Sequence, residues 1–487
     1  MSAASKNSPK TILLQLECHF TWQLLKEDVH LDGLEETNRV QIKFLTKKSM
    51  NVKPKVVIFN LQAYVKHLKG KNEEALESLQ RAEKVQADHV DDTDSTDRQS
   101  LVTWGNYAWV CYHMGKLTEA QAYISKIESS CKKLSSPYRY KVQHHEILYE
   151  KGSAFLTFGP KYYERAKECF AKALEEEPSN PFYNNRYATA VYRLEDFYTK
   201  GSSGKESSLE ALRHSVKLNP NNTVGMALLA LKLQDIKQAE EGERYIEEAL
   251  QKTPDFYNLL KYAGKFYRRQ GDVEKSQECL RKGFLFRPYC GFLHHQMGLC
   301  YRTKLHEAKN LKDVPGEEME KLIQSGIFHF KVAVEQKPTF LYAYLDLANM
   351  YANSNQLQEA EDTFQKAFKM DNITSEEKQW LHYRYGFFQE FHNKLESEAV
   401  EQYIKAFKIE KETHARNMCK DLLKKLIERK ISKGSADAKS YGILGLIHKL
   451  NGEKRQAIEC YEKAQGMEPD NEEHWSALCE MRLSIEN

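Results

Sequence analysis

A chain of 487 residues is larger than one hydrophobic core usually serves, so it holds either several domains or one extended repeat array. With 41% hydrophobic and 29% charged residues it has the balance of a soluble folded protein and not of a disordered or membrane chain. A formal charge of only +3 excludes a whole-molecule field as the source of any preference for anions, and 12 prolines with 23 glycines favour helices over many-turned sheets.

Met1 to Lys10 is polar, and Ile12, Leu13 and Leu14 are too few for the core of a signal peptide. No later run approaches a membrane span. The ten cysteines contain no C-x-x-C pair and sit mostly in apolar helical runs, so they are expected as reduced core thiols of a cytosolic protein. Lys47, Lys48, Lys53 and Lys55 form a basic segment of the kind that is usually a soluble loop.

From there one register of small and large residues returns along most of the chain. The copies hold Ala63, Gly70, Ala75 and Ala82; Trp104, Ala108, Gly115 and Ala120; then Ala166, Phe170, Ala173 and Pro178. Two more end in Ala249 with Pro254, and in Tyr267 and Gly271 with Pro288. Another holds Ala348, Tyr351, Ala360, Phe364 and Ala367. In the last, Gly445, Gly452, Ala457, Tyr461, Ala464 and Pro469 match the tetratricopeptide pattern of roughly 34 residues. Small residues let two antiparallel helices approach, aromatics fill the gap, and proline stops the second helix. A single hairpin cannot bury its apolar face, so neighbours must stack.

The expected fold class is therefore all-α, a tetratricopeptide-repeat superhelical solenoid whose concave side is the default binding surface. Three places break the rhythm: an acidic connector from Gln86 to Ser100, a Gly/Ser/Lys-rich loop from Thr199 to Ser208, and an insertion from Thr303 to Lys321. The expected blocks are residues 1–140, 141–256 and 257–487, the last with the inserted segment near 303–321.

Signatures of chemistry are missing. Gly204-Lys205 has Thr199 where a phosphate loop needs its first glycine, and Tyr149 stands where a zinc-protease helix starting at His145-Glu146 needs its second histidine. The acidic run Asp88 to Asp97 lacks the glycine and closing glutamate of a calcium loop. No enzyme, cofactor, metal or small-molecule substrate is expected.

One segment departs from the structural pattern. In Tyr257 to Gln270, cations alternate with aromatics; Gly264 and Tyr267 mark the packing side, while Lys261, Lys265 and Arg268 share a stripe about a quarter turn away. The next repeat opens with Phe292, His295 and Gln296, placing a ring and polar groups on a neighbouring helix. Cations attract phosphate and rings stack on bases, which is what single-stranded nucleic acid requires. A solvated face of snorkelling Lys and Arg accounts for the same stripe equally well.

Several stretches, among them CHFTW at Cys18 to Trp22, AYVKHLKG at Ala63 to Gly70, SLVTWGNYAWV at Ser100 to Val110, FLHHQMGLCYR at Phe292 to Arg302 and GEKRQAIECYEKAQ at Gly452 to Gln465, carry a likeness covering nearly the whole chain. The sequence resembles the vertebrate interferon-induced proteins with tetratricopeptide repeats. That resemblance implies a cytoplasmic antiviral effector that captures the 5′ end of foreign single-stranded RNA, as a triphosphate or cap, in a positively charged groove or tunnel and blocks its translation. It implies no membrane partner, and other family members as partners. It places Thr37, Gln41 and Lys48 near phosphate and Arg193 in the end pocket, and it sets Tyr163, Lys261, Tyr262, Lys265, Arg268, Phe292, His295, Gln296 and Phe340 along the RNA path.

Among the departures from the family, two matter most. Ser153 stands where it usually has Trp, and Thr157 where it usually has Lys. The first removes a stacking platform worth about 1–3 kcal/mol per base and the second a charge-assisted interaction, so end recognition is expected to weaken. The alternative function is a protein-interaction scaffold in innate immune signalling.

Overall fold

Several hairpins close where an added side chain would collide. The computed structural model describes residues 9–47, 52–88, 93–198, 208–311, 314–371 and 373–486. In it, a Cβ on Gly264 would stand 2.8 Å from Cδ2 of Leu280, and one on Gly445 would stand 2.8 Å from the ring of Tyr461. A larger residue at either place would push two close-packed helices apart. Seven residues after each of these glycines the chain turns through left-handed backbone, with φ 93° at Gly271 and 78° at Gly452. The corresponding turns that lack glycine use Lys237 at φ 63° and Asn355 at φ 60°, at a cost of about 1–2 kcal/mol each.

The chain forms two compact units, Met1–Lys304 and Leu305–Asn487. In the first lie α1 (Pro9–Leu13), α2 (Leu31–Lys47), α3 (Val52–Leu68), α4 (Asn72–Ala87), α5 (Thr93–His113), α6 (Leu117–Lys133), α7 (His145–Phe158) and α8 (Tyr163–Glu176). They are followed by α9 (Pro181–Tyr198), α10 (Ser208–Leu218), α11 (Thr223–Asp235), α12 (Ala239–Lys252), α13 (Tyr257–Gln270) and α14 (Val273–Phe284), and α15 (Gly291–Asn310) begins there. The second unit contains α16 (Gly316–Gln336), α17 (Leu341–Asn353), α18 (Leu357–Phe368), α19 (Ser375–Phe391) and α20 (Glu396–Lys408). It ends with α21 (His414–Ser432), α22 (Ala438–Leu450), α23 (Lys454–Met467) and α24 (Glu472–Glu486). No strand occurs among the described residues. Six successive pairs from α3/α4 to α13/α14 pack as hairpins in the first unit, as do α17/α18, α19/α20 and α22/α23 in the second. The all-α tetratricopeptide-repeat fold is the one the repeat register implies.

Two of the expected breaks prove largely helical. The acidic connector ends at Thr93, where α5 begins; Asp97 lies near that helix start, where the backbone dipole favours a carboxylate, and meets Lys133 of α6 at 3.2 Å. The inserted residues 303–321 mostly lengthen α15 and α16. Lys304 pairs with Glu274 at 3.0 Å, and α16 starts after Pro315 with Glu317 and Glu318 in its first turn, where the helix dipole favours them. Of the loop at 199–208, only Ser208 lies within the described residues; its amide and hydroxyl both donate to Glu195, at 2.7 and 2.5 Å.

Aromatic and branched residues fill each unit separately. Trp22, Trp104, Phe155, Phe158 and Phe170 belong to one core of the first unit, and Leu228 to Leu231 with Phe266 to another. Tyr403, Phe407, Leu423 and Ile443 share a core of the second. All ten cysteines are free, eight of them buried, which fits their reading as core thiols. Near the N-terminus Leu13 packs into the core, and its carbonyl accepts from Trp109 Nε1 at 3.1 Å.

One carboxyl is buried without a cation. Glu150 on α7 accepts from Asn60 Nδ2 at 2.8 Å, and Asn60 also donates to Thr103 Oγ1 at 3.0 Å. Burial pushes the Glu150 carboxyl up to about 8; the Asn60 bond acts in the opposite direction and nearby Glu146 adds to the rise. A folded-state value above the unfolded one favours the protonated fold. Its contribution to stability is complete below the ordinary 4.5 and is lost as pH rises through about 8. Glu150→Gln should therefore flatten the decline of the thermal midpoint over that window. Equal pH dependence of wild type and variant in thermal melts would refute this placement of the proton.

Candidate nucleic-acid interface

Helix α13 turns a continuous apolar side inward: Leu259, Leu260, Ala263, Gly264, Phe266 and Tyr267 are all buried. That commitment leaves Lys261, Lys265 and Arg268 together on another side, each only partly exposed. A purely solvated cation on this helix looks different: Arg269 is exposed and pairs with Asp235. Lys261 instead lies between rings, its Nζ 4.4 Å from the centroid of Tyr262 and 5.3 Å from that of Phe292 on α15. One turn beyond Phe292, the α15 residues His295 and Gln296 are buried, and Arg268 Nε donates to Gln296 Oε1 at 2.9 Å. The structure thus brings the stripe and the opening residues of the next repeat into one cluster.

A second guanidinium joins it from α9. Arg193 hydrogen-bonds through its side chain to Tyr163 at the start of α8 and to Tyr262, and it stands 5.7 Å from the Tyr163 ring. Its Nη1 also donates to the Leu156 carbonyl of α7 at 3.0 Å. Burial alone would lower the arginine's pKa, but the two tyrosines raise it above its ordinary value. The converse holds for Tyr262: burial would raise its phenol, yet Lys261 and Arg193 draw it down to about 7. The group therefore titrates near neutrality, and its anion sets a negative charge against the two cations.

On α2, Thr37 and Gln41 lie one turn apart and are both partly exposed. The Thr37 hydroxyl donates to the Gly33 carbonyl at 2.7 Å and accepts from Arg287 Nη1 at 2.8 Å. Val40 between them packs in a cluster with Tyr257 of α13 and Leu293 and Met297 of α15. Lys48 lies outside the described residues. Phe340 belongs to the second unit, where it precedes α17; Lys337 Nζ is 5.2 Å from its ring and Tyr342 meets it edge-on at 6.4 Å. Arg287 and Tyr257 were invisible as site residues in the sequence, because the partner that gives Arg287 its place is 250 positions away.

At the family departures, the Ser153 side chain is buried and its hydroxyl has no hydrogen-bond partner, while the Thr157 hydroxyl donates back to the Ser153 carbonyl at 2.7 Å. Gly152 is the tight-packing residue of that hairpin, 2.8 Å from the Phe170 ring once a Cβ is added. By register Ser153 is the counterpart of Lys265 on α13. The position that carries a cation in one repeat thus carries a small neutral residue in the other. His145, the start of the sequence's abortive zinc motif, is engaged by Tyr183 at 2.7 Å and Glu177 at 3.4 Å.

The Tyr262 shift has a direct consequence. As pH rises through about 7 the phenolate forms against Arg193 and Lys261, cancels positive charge and competes with an incoming anion. Polyanion affinity should fall several-fold from the acid to the alkaline side of that value, and Tyr262→Phe should remove this dependence. The fold gains in the other sense: the depressed pKa adds stability that is complete above the ordinary 10 and lost as pH falls through about 7. Near-ultraviolet phenolate absorbance would test the assignment, which fails if wild type and Tyr262→Phe titrate alike near neutral pH.

The tetratricopeptide-repeat family model matches residues 341–374 and 438–471. The human antiviral innate immune response effector IFIT1 is 46% identical over 468 residues, covering 95% of this chain and 96% of the relative. A solved structure of the human IFIT1 dimer with m7Gppp-AAAA superposes with a TM-score of 0.86 at 45% identity, covering 95% of this chain and 100% of that one. Another, of the human IFIT1 dimer with PPP-AAAA, gives 0.84 at 45% identity, with the same coverage of both chains. With that identity along nearly the whole length, the chain belongs to the family of interferon-induced proteins with tetratricopeptide repeats.

Proposed function

We propose that this protein is an interferon-induced antiviral effector that captures single-stranded RNA by its 5′ end, in the triphosphate or incompletely methylated cap form, and so inhibits translation of foreign RNA in the cytoplasm. It acts by holding the RNA and not by catalysis. The observation that carries this reading is the α13/α15 cluster, where Lys261 lies between two rings and Arg268 is oriented by Gln296. Cations fix phosphates and rings stack bases, and the two are interleaved within a few ångströms. The solved human relatives holding capped and triphosphate RNA support the same ligand class. Lys48 and Gln41 complete the proposed set of the first unit, Phe340 of the second unit is proposed as an RNA-binding residue by itself, and other family members are proposed as protein partners, which the dimeric relatives support.

Matched RNAs ending in triphosphate, monophosphate, hydroxyl and methylated cap separate end capture from general binding. The expected order places the phosphorylated or capped ends first; equal affinities would dismiss the end pocket. In salt titrations, Lys265→Ala or Arg268→Ala should weaken all of these RNAs and lower the slope of log affinity against log salt by roughly 0.7 for each phosphate left without its cation. Slopes that match wild type would remove both residues from the phosphate path.

Thr157 allows the opposite test, because its side chain is partly exposed and its hydroxyl is engaged by its own helix. Thr157→Lys should tighten triphosphate RNA several-fold over hydroxyl RNA. An equal gain for both ends would mean that the new charge acts only as general attraction.

The scaffold reading draws on one feature of the second unit. Gly386 is the tight-packing residue of α19, with an added Cβ 2.7 Å from Tyr403, and the places that on α13 hold Lys261 and Lys265 hold Tyr383 and Phe387 here, with Trp380 and Phe391 about one turn to either side. Their rings form a ladder with centroid separations of 5.6, 6.5 and 4.3 Å. Competition between RNA and a captured protein separates the two functions: displacement means a shared surface, and full retention means a separate one.

A further inference from the structure

Arg287 lies in the turn between α14 and α15 and is mostly buried, with 11% of its side chain exposed. Its guanidinium reaches two elements distant in sequence. Toward α2, Nη1 donates to Thr37 Oγ1 at 2.8 Å and Nη2 to the Gly33 carbonyl at 3.1 Å, while Nε stands 3.9 Å from Glu36. Toward α13, Nη1 also meets the Tyr257 hydroxyl at 3.2 Å, and the guanidinium carbon lies 5.4 Å from the Tyr257 ring. Tyr257 in turn contacts Cys290 Sγ at 3.0 Å, so the far end of the clamp is itself buried and fixed.

Two consequences follow for α2. The first is placement: α2 is joined by one planar fork to the helix that carries Lys261, Lys265 and Arg268. The second concerns the hydroxyl of Thr37. Its proton goes to the Gly33 carbonyl and one of its lone pairs takes the Arg287 proton. It can only accept one further hydrogen bond, so it offers an anion no donor. Gln41, one turn further along the same face, carries an amide that can donate.

We propose that Arg287 is a positioning residue for the RNA 5′ end: by fixing α2 to α13 and occupying the Thr37 hydroxyl, it makes Gln41 the α2 group that donates to the terminal phosphate. This deepens the proposed function and rests on its 5′-end reading of the first unit.

The test uses the full chain and two RNAs of one sequence, ending in triphosphate or hydroxyl, with the affinity ratio as readout beside thermal stability. Arg287→Ala should shrink the ratio about tenfold, the worth of one charge-assisted hydrogen bond, and leave hydroxyl-RNA affinity within about twofold. Arg287→Lys keeps the charge but not the fork, and should rescue little of the ratio. Tyr257→Phe deletes a single hydroxyl of the clamp and keeps the core volume, so it serves if the alanine variant does not fold; it should lower the ratio several-fold. Thr37→Val deletes the other hydroxyl of the clamp and should lower the ratio several-fold, as Tyr257→Phe does, whereas Gln41→Ala should collapse it. Several outcomes overturn the proposal: an unchanged ratio in both Arg287→Lys and Tyr257→Phe, equal weakening of both RNAs in step with lost stability, or a collapse with Thr37→Val but not with Gln41→Ala. If wild type shows no preference between the two ends, the 5′-end reading itself falls and takes this role with it. If wild type prefers triphosphate and the variants do too, only the role of Arg287 falls.

Discussion

The contact between a small residue on the first helix of a hairpin and a bulky side chain on the second sets the phase of everything that follows. Gly152 against Phe170, Gly264 against Leu280, Gly386 against Tyr403 and Gly445 against Tyr461 all occupy this place, with an added Cβ at 2.7 or 2.8 Å. No rotamer relieves a clash with Cβ, so the rotation of each first helix about its axis is fixed. Residues a quarter turn away lie outside this closest contact, and they can differ between repeats. On α7 that place holds the buried Ser153, on α13 the partly exposed Lys265 and on α19 the partly exposed Phe387. One architecture accordingly carries a neutral, a cationic and an aromatic residue at the same place in turn.

The cationic surface is built at an electrostatic cost, because half-burying several positive groups near one another opposes folding. Elsewhere in the first unit the protein meets that cost with carboxylates: Lys69 pairs with Asp32 at 2.6 Å and also with Glu35, and Lys232 pairs with Glu195. Such charges are already neutralised. Around Lys261 and Arg193 the compensation comes from aromatic faces and phenols. A ring quadrupole or a phenol returns only part of the lost hydration, which leaves these cations with a residual attraction for anions. Tyr262 is the adjustable member of the group, since its ionisation near neutrality lets the site supply its own counter-charge when no ligand is bound.

Closure of the first unit adds a constraint that local packing cannot. Through Arg287 and the apolar contact of Val40 with Tyr257 and Leu293, the N-terminal α2 is made part of the surface formed by α13 and α15. Groups at the start of the chain and groups near residue 290 thereby share one surface. The fork of Arg287 suits this task because it fixes direction as well as distance, which a lysine does not.

The sequence by itself determined the helical class, the hairpin register and the stripe on α13, because these depend on residues within one repeat and a period of 3.6 sees them directly. The left-handed turns at Gly70, Gly115, Gly271 and Gly452 were readable for the same local reason. The insertion was visible as a departure from the repeat pattern, but its form was not: high helix propensity lets the extra residues lengthen α15 and α16. Only the tertiary structure decided that the stripe is partly buried among rings and not a solvated face. It alone joined Arg193 to Tyr163 and Tyr262, buried Glu150 beside Asn60, and set Arg287 against Thr37. Those partners lie tens to hundreds of residues apart, and what brings them together is the stacking of successive hairpins, which no spacing within one repeat records.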